Sequence, residues 1–186
     1  MPGMVALIVV LAVVVLLALG LALSYNRLIR LRNRAGNSWA QVDVQLRRRY
    51  DLVPNLVEAV KGYAAHERRT FEEVVAARNA AQSAGTVPEQ AEAENALGAV
   101  LRRLFALAEA YPALRATENF QALQADLRDA EDRIAVARQI YNDSTLSYNN
   151  AVQTVPTNLV ASLFRFAPRP FFEIGDEARS VPTVQF

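Results

Sequence analysis

From Met4 to Leu23 the chain runs twenty residues without a charged side chain, and Arg27, Arg30, Arg32 and Arg34 follow close behind. A helix rises about 1.5 Å per residue, so a run of this length crosses a hydrocarbon core of roughly 30 Å. It has no polar face to turn toward water. The chain is therefore expected to be a single-pass membrane protein. Arginines beside a span stay on the cytoplasmic side, which predicts a short N-terminus outside and the remaining chain inside, at the plasma membrane. A cleaved signal peptide fits less well, because it needs a basic segment before a shorter apolar stretch. Here no Lys or Arg precedes the run.

The formal net charge of +1 hides an asymmetry, since Ser24 to Tyr50 carries seven arginines against the single acid Asp43. The chain has no cysteine, which removes disulfides, thiolate catalysis, cysteine-type zinc sites and lipidated cysteine.

Beyond the span the apolar spacing reads as helix throughout. Leu28, Leu31, Ala35, Trp39, Val42, Leu46 and Tyr50 recur at three and four, the spacing of one helical face. Gly36 weakens that helix by about 1 kcal/mol relative to alanine. Asp51-Leu52-Val53-Pro54 predicts the start of a second helix, with Asp51 as cap and Pro54 in the first turn, running to about Ser83 and closed by Gly85. Thr86-Val87-Pro88-Glu89 has capping-box spacing and predicts a third helix to about Ala110.

The fourth helix carries a double heptad. Phe120, Leu127, Ile134, Tyr141, Tyr148 and Val155 lie seven apart, and Leu123, Ala130, Ala137, Ser144 and Ala151 repeat between them. Such a pattern predicts a seam facing partner helices. The expected fold is all-α: an N-terminal transmembrane helix followed by a long up-down antiparallel four-helix bundle with coiled-coil packing. The expected divisions are an anchor at 1–24, a bundle at 25–167 and an extended C-terminal tail at 168–186. If the fourth helix returns to the membrane, Phe164, Phe166, Phe171 and Phe172 are placed to touch its surface beside Arg165 and Arg169.

Several stretches are more specific than periodicity requires. They are Tyr25-Asn26-Arg27-Leu28, Trp39-Ala40-Gln41-Val42-Asp43, Arg49-Tyr50-Asp51-Leu52-Val53-Pro54-Asn55-Leu56, Ala77-Arg78-Asn79, Ala108-Glu109-Ala110-Tyr111-Pro112 and Arg138-Gln139-Ile140-Tyr141-Asn142. In these motifs the chain resembles the bacterial LemA family, from the anchor to the Phe171-Phe172-Glu173 region. The resemblance implies a single-pass membrane protein with a cytoplasmic helical bundle and no enzyme activity.

The residues offer little that points to catalysis. His66 is the sole histidine; it has no nucleophile to activate and no second histidine to share a metal. Glu89, Glu92 and Glu94 fall near a helix start, where negative charge suits the dipole. Asp126, Asp129, Glu131 and Asp132 have Arg128 and Arg133 at ion-pairing spacing. Neither cluster has the Glu-x-x-His repeat of di-metal bundles, so no metal or cofactor is expected. Arg27 to Arg34 suit anionic headgroups, whereas Arg47, Arg48 and Arg49 are expected to pair with acids of the bundle. No groove-reading motif accompanies them, so nucleic acid is not an expected partner. Tyr141-Asn142 and Tyr148-Asn149 leave two readings open, a ladder of interhelical hydrogen bonds or a solvated amide face. No small-molecule substrate is expected. The expected role is a non-enzymatic membrane-tethered scaffold or adaptor at the lipid bilayer that associates with itself in the membrane plane, docks an unknown protein partner, or does both. The alternatives are a membrane-remodelling homo-oligomer, and a regulatory subunit or substrate of a membrane protease or transporter.

Overall fold

Pro54 does not open a helix. In the computed structural model, which describes residues 2–64 and 66–174, α1 runs without interruption from Pro2 to Lys61 with Pro54 inside it. The expected boundary at Asp51 is therefore wrong. A proline in a helix frees the carbonyl four residues earlier, because it has no N–H to offer. That carbonyl belongs to Tyr50, and the Nε of Arg78 donates to it at 2.7 Å. With the orphan acceptor satisfied, the helix carries on. Asp51 stays exposed, while Val53, Leu56, Val57 and Val60, assigned from spacing to a second helix, are buried from the last turns of the first. Gly36 likewise leaves α1 unbroken.

Five helices follow: α2 (Arg68–Ser83), α3 (Val87–Glu109), α4 (Pro112–Arg115), α5 (Glu118–Gln153) and α6 (Thr157–Leu163). The described residues contain no strand, so the fold is all-α. The start of α3 is the capping box read from the sequence. The Thr86 hydroxyl accepts from the Glu89 N–H, and the Glu89 carboxylate accepts from the Thr86 N–H at 3.0 Å. Gly85 does not cap α2 as expected. The cap residue is Ala84 in an extended conformation, and the Gly85 N–H donates instead to Glu89 Oε2 at 3.1 Å.

The chain divides into two units, one of Met1–Ser38 with Asn142–Arg169, the other of Trp39–Tyr141 with Pro170–Phe186. In the first, Leu28 packs with Tyr148, Ala151, Val152, Val160 and Ala161, with Leu31 and Phe166 half-buried at the edge. Ser38 and Ser144 share a hydroxyl hydrogen bond of 3.1 Å. The apolar residues that precede this cluster on α1 are open to the surroundings, and the helix is long and apolar enough to cross a membrane.

In the second unit the core is built from Val42, Leu46, Val53, Leu56 and Val60 of α1, Phe71 and Val74 of α2, Leu97, Leu101 and Leu104 of α3, and Phe120 and Ile134 of α5. Each fully buried Leu, Ile or Phe side chain stabilises the fold by about 1.5–3 kcal/mol relative to exposure. Phe172, expected at a membrane surface, is buried in this core, edge-on to Trp39 with ring centroids 5.2 Å apart.

Candidate functional site

The Arg49-Tyr50 motif on α1 and the first turns of α3 meet in a buried polar cluster. Glu94 is 1% exposed and Arg49 4%. Arg49 Nη1 donates to Glu94 Oε2 at 3.0 Å, and Arg49 Nε lies 3.0 Å from Glu131 Oε1 on α5. The Tyr50 hydroxyl donates to Glu94 Oε1. Gln90 Nε2 reaches Glu94 Oε1 at 2.9 Å, the Tyr50 hydroxyl at 2.8 Å and the Ala81 carbonyl at 3.0 Å. Burial, reinforced by the adjoining Glu94 carboxylate, pushes the Tyr50 phenol far above its ordinary value. Burial also raises the Glu131 carboxyl; Arg49 opposes the shift, and Glu94 and Asp132 add to it. Arg49 Nε meets Glu131 as an ion pair without a hydrogen bond, while Glu94, Tyr50, Gln90 and Arg49 Nη1 bond one another, as buried polar groups require. The arrangement joins α1, α2, α3 and α5.

Sequence reasoning placed Glu94 with Glu89 and Glu92 near a helix start and so missed its role. The signal was there in the spacing. Glu94 precedes Leu97, Leu101, Leu104 and Ala108 at intervals of three and four, which puts it on the buried stripe of α3. The neighbouring arginines pair as expected. Arg47 reaches Asp43 at 3.0 Å and Arg48 reaches Asp129 at 2.9 Å. Arg133 also holds Asp129, at 2.9 Å, and its hydrogen bond keeps that carboxyl below the ordinary range.

Beside this cluster α1 and α5 border an open groove of about 710 Å³. Val44, Val136 and Ile140 line it and are exposed, and Asp132 and Arg133 supply charge of both signs.

Of the seam residues, Phe120, Leu127, Ile134, Tyr141 and Tyr148 are buried. Val155 is not part of the seam. It is 78% exposed and lies beyond Gln153, the last residue of α5, before a cis peptide bond to Pro156. The tyrosines form neither an interhelical ladder nor a solvated face. The Tyr141 hydroxyl donates to the Pro170 carbonyl at 2.8 Å, and the Tyr148 hydroxyl to the Ala167 carbonyl at 3.0 Å. Asn149 grips Arg169 twice, accepting from its N–H at 2.8 Å and donating to its carbonyl at 2.9 Å. Arg138 Nη1 reaches the Ile174 carbonyl at 3.2 Å. The heptad polar groups thus hold the chain that follows α6. Residues 168–174 are neither helix nor strand, and the expected extended tail beyond them falls outside the described residues.

Arg27, Arg30, Arg32 and Arg34 are all exposed on α1 just past the apolar run. The guanidinium of Arg32 stands 5.4 Å from the centre of the Phe166 ring. Phe166 is half-buried, Phe164 is 53% exposed and Phe171 38%. Of the four phenylalanines expected at the bilayer, Phe172 is therefore excluded by its burial. His66 is exposed. Among the described residues no group of His, Asp and Glu side chains is arranged to hold a metal.

The chain is similar to magnetosome protein MamQ of Magnetospirillum gryphiswaldense, at 26% identity over 178 residues, covering 82% of this chain and 65% of the relative. It is also similar to magnetosome proteins MamQ 1 and MamQ 2 of Paramagnetospirillum magneticum, each at 26% identity, covering 88% of this chain and 70% of the relative. The LemA family model matches residues 38–186, which is most of the chain, and the protein belongs to the LemA family.

Proposed function

We propose that this protein is a non-enzymatic scaffold, held in the membrane by the first third of α1, that assembles in the membrane plane and presents its helical bundle on the cytoplasmic side. One observation carries the reading. A single helix, Pro2–Lys61, is at once the membrane-length apolar segment and the first helix of the packed core. The buried Arg49, Tyr50, Gln90 and Glu94 side chains are spent on one another, in keeping with a structural rather than a chemical role. The arginines just past the apolar run favour the cytoplasmic orientation. The relatives are named for a structure, the magnetosome, and not for a reaction, which accords with assembly.

The cysteine-free chain makes the test clean. A Val136→Cys variant places one thiol at an exposed position of α5. Bis-maleimide treatment of native membranes is expected to give covalent dimers of the chain, the most that one thiol per chain allows, and an impermeant maleimide is expected to label Cys only after permeabilisation. A chain that stays monomeric under crosslinking overturns the assembly reading. Labelling of intact cells overturns the orientation.

A further inference from the structure

The α5–α6 turn and α6 carry an apolar surface that their own unit leaves open. Val155 is 78% exposed, Leu159 and Leu163 are each 68%, and Phe164 is 53%. Leu159 and Leu163 lie four apart, on one face of α6. Val160 and Ala161 are buried against Leu28, so α6 is two-faced, with one apolar face used and the other not.

Its position says what lies against the unused face. Along this unit α5 runs antiparallel to α1. Ser144 meets Ser38, Tyr148 and Ala151 join the cluster of Leu28, and the Phe164 ring lies tilted against Tyr25 with centroids 4.8 Å apart. The exposed apolar tip is therefore level with Tyr25, two residues past the end of the apolar run at Leu23. Where the span leaves hydrocarbon, the tip meets the same boundary.

Charge agrees with position. This unit contains six arginines and one acid, Asp143, out of 19 acids in the chain, and no acid occurs between Asp143 and Glu173. One of the six, Arg165, closes α6 in a left-handed conformation with φ 57°. The Phe166 N–H returns to the Ala161 carbonyl at 2.9 Å and the Arg165 N–H to the Ser162 carbonyl at 3.3 Å. This is a Schellman ending, in which glycine is the usual residue. Arginine there costs roughly 1 kcal/mol of backbone energy and sets a cation at the tip.

We propose that the α5–α6 turn and α6 form a second membrane contact beside the anchor. Val155, Leu159, Leu163 and Phe164 enter the boundary between headgroups and acyl chains, and Arg165 and the arginines of α1 meet anionic headgroups. The proposal rests on the reading that α1 spans the bilayer. Two contacts instead of one fix the rotation of α1 about its own axis and restrain its tilt.

The test uses the full chain in bilayer discs of phosphatidylglycerol and phosphatidylcholine brominated near the top of the acyl chain. Native Trp39→Phe removes the background, and single tryptophans are placed by Leu159→Trp, Val136→Trp and Leu16→Trp. All three positions are exposed, so each accepts the larger ring. The expected result is quenching at position 159 several-fold above that at position 136. Quenching at 159 no greater than at 136, with position 16 strongly quenched, overturns the second contact while leaving the anchor standing. An unquenched position 16 overturns the anchor and the proposal together. Replacing phosphatidylglycerol with neutral lipid is expected to lower the signal at 159, and an unchanged signal overturns the headgroup contribution.

Discussion

The Nε of Arg78 donates at 2.7 Å to the carbonyl of Tyr50, the acceptor that Pro54 leaves without a helical partner. Two sequence motifs far apart in the chain thus solve one backbone problem. Removing Arg78 leaves a part-buried carbonyl unsatisfied, at a cost of about 1–3 kcal/mol. Arg78→Ala should therefore lower the denaturant midpoint in detergent. In a Pro54→Ala background, the new N–H can serve Tyr50, and Arg78→Ala should cost clearly less. Equal costs in both backgrounds would show that the two residues are uncoupled.

Glu94 holds the buried cation of Arg49. Glu94→Leu leaves that cation with Glu131 alone and strips Tyr50 and Gln90 of their shared acceptor. Breaking a buried pair from one side costs about 3–5 kcal/mol, a large share of the stability of an ordinary domain. Tyr50→Phe removes one donor but leaves Glu94 with Arg49 and Gln90, and should cost about 1–2 kcal/mol. Urea unfolding followed by circular dichroism ranks the two, and the reverse ranking would contradict the geometry.

Much of this was legible in the sequence, for a physical reason. The apolar run, the a/d spacing of α5 and the Thr86–Glu89 cap each act through neighbours in sequence, so local pattern suffices. The failures share the opposite cause. Pro54 reads as a helix start until Arg78, 24 residues away in sequence, is seen to satisfy Tyr50. Glu94 reads as a helix-start acid until Arg49 is seen against it. Phe172 reads as an interfacial aromatic until Trp39 packs edge-on to it. Each is a long-range partner overriding a local preference. Val155 fails differently, because the heptad count runs past the end of α5 at Gln153, which stops short of Pro156.

Glu131 should give stability a pH dependence of known sign. Its native carboxyl titrates above the ordinary glutamate value, chiefly through burial, with Arg49 opposing and Glu94 and Asp132 assisting. The native state thus holds this proton more tightly than the unfolded chain does. Its contribution to stability is whole below the ordinary glutamate range and is lost as pH rises through the raised native value. The stability of the wild type minus that of Glu131→Gln should accordingly fall as pH rises from about 4 to 7. Asp129 is depressed, first by the Arg133 hydrogen bond, so its contribution is present above the ordinary aspartate range and is lost as pH falls through the depressed value. Paired unfolding series against Glu131→Gln and Asp129→Asn should slope in opposite directions.

Gly36 sits inside α1 with no positive φ to justify it. A Cβ built there meets only the Arg169 guanidinium, at an ordinary 3.8 Å. Gly36→Ala should therefore stabilise the protein by about 0.5–1 kcal/mol through helix propensity and a less flexible unfolded chain. A loss of stability instead would mean that Arg169 cannot yield the space.

Asn149 decides whether the chain after α6 stays against α5. It satisfies both the N–H and the carbonyl of Arg169, a pairing that a helix or strand would otherwise supply for a segment having neither. Asn149→Ala removes both bonds at once, while Tyr148→Phe removes only the bond to Ala167. Unmade bonds of this kind weaken local protection by about 1–3 kcal/mol. Hydrogen exchange at the Arg169 amide should therefore accelerate by about 10- to 100-fold in Asn149→Ala and far less in Tyr148→Phe, with helical circular dichroism unchanged in both. If exchange at Arg169 stayed slow in Asn149→Ala, the segment would have to be held by the burial of Phe172 and not by the amide.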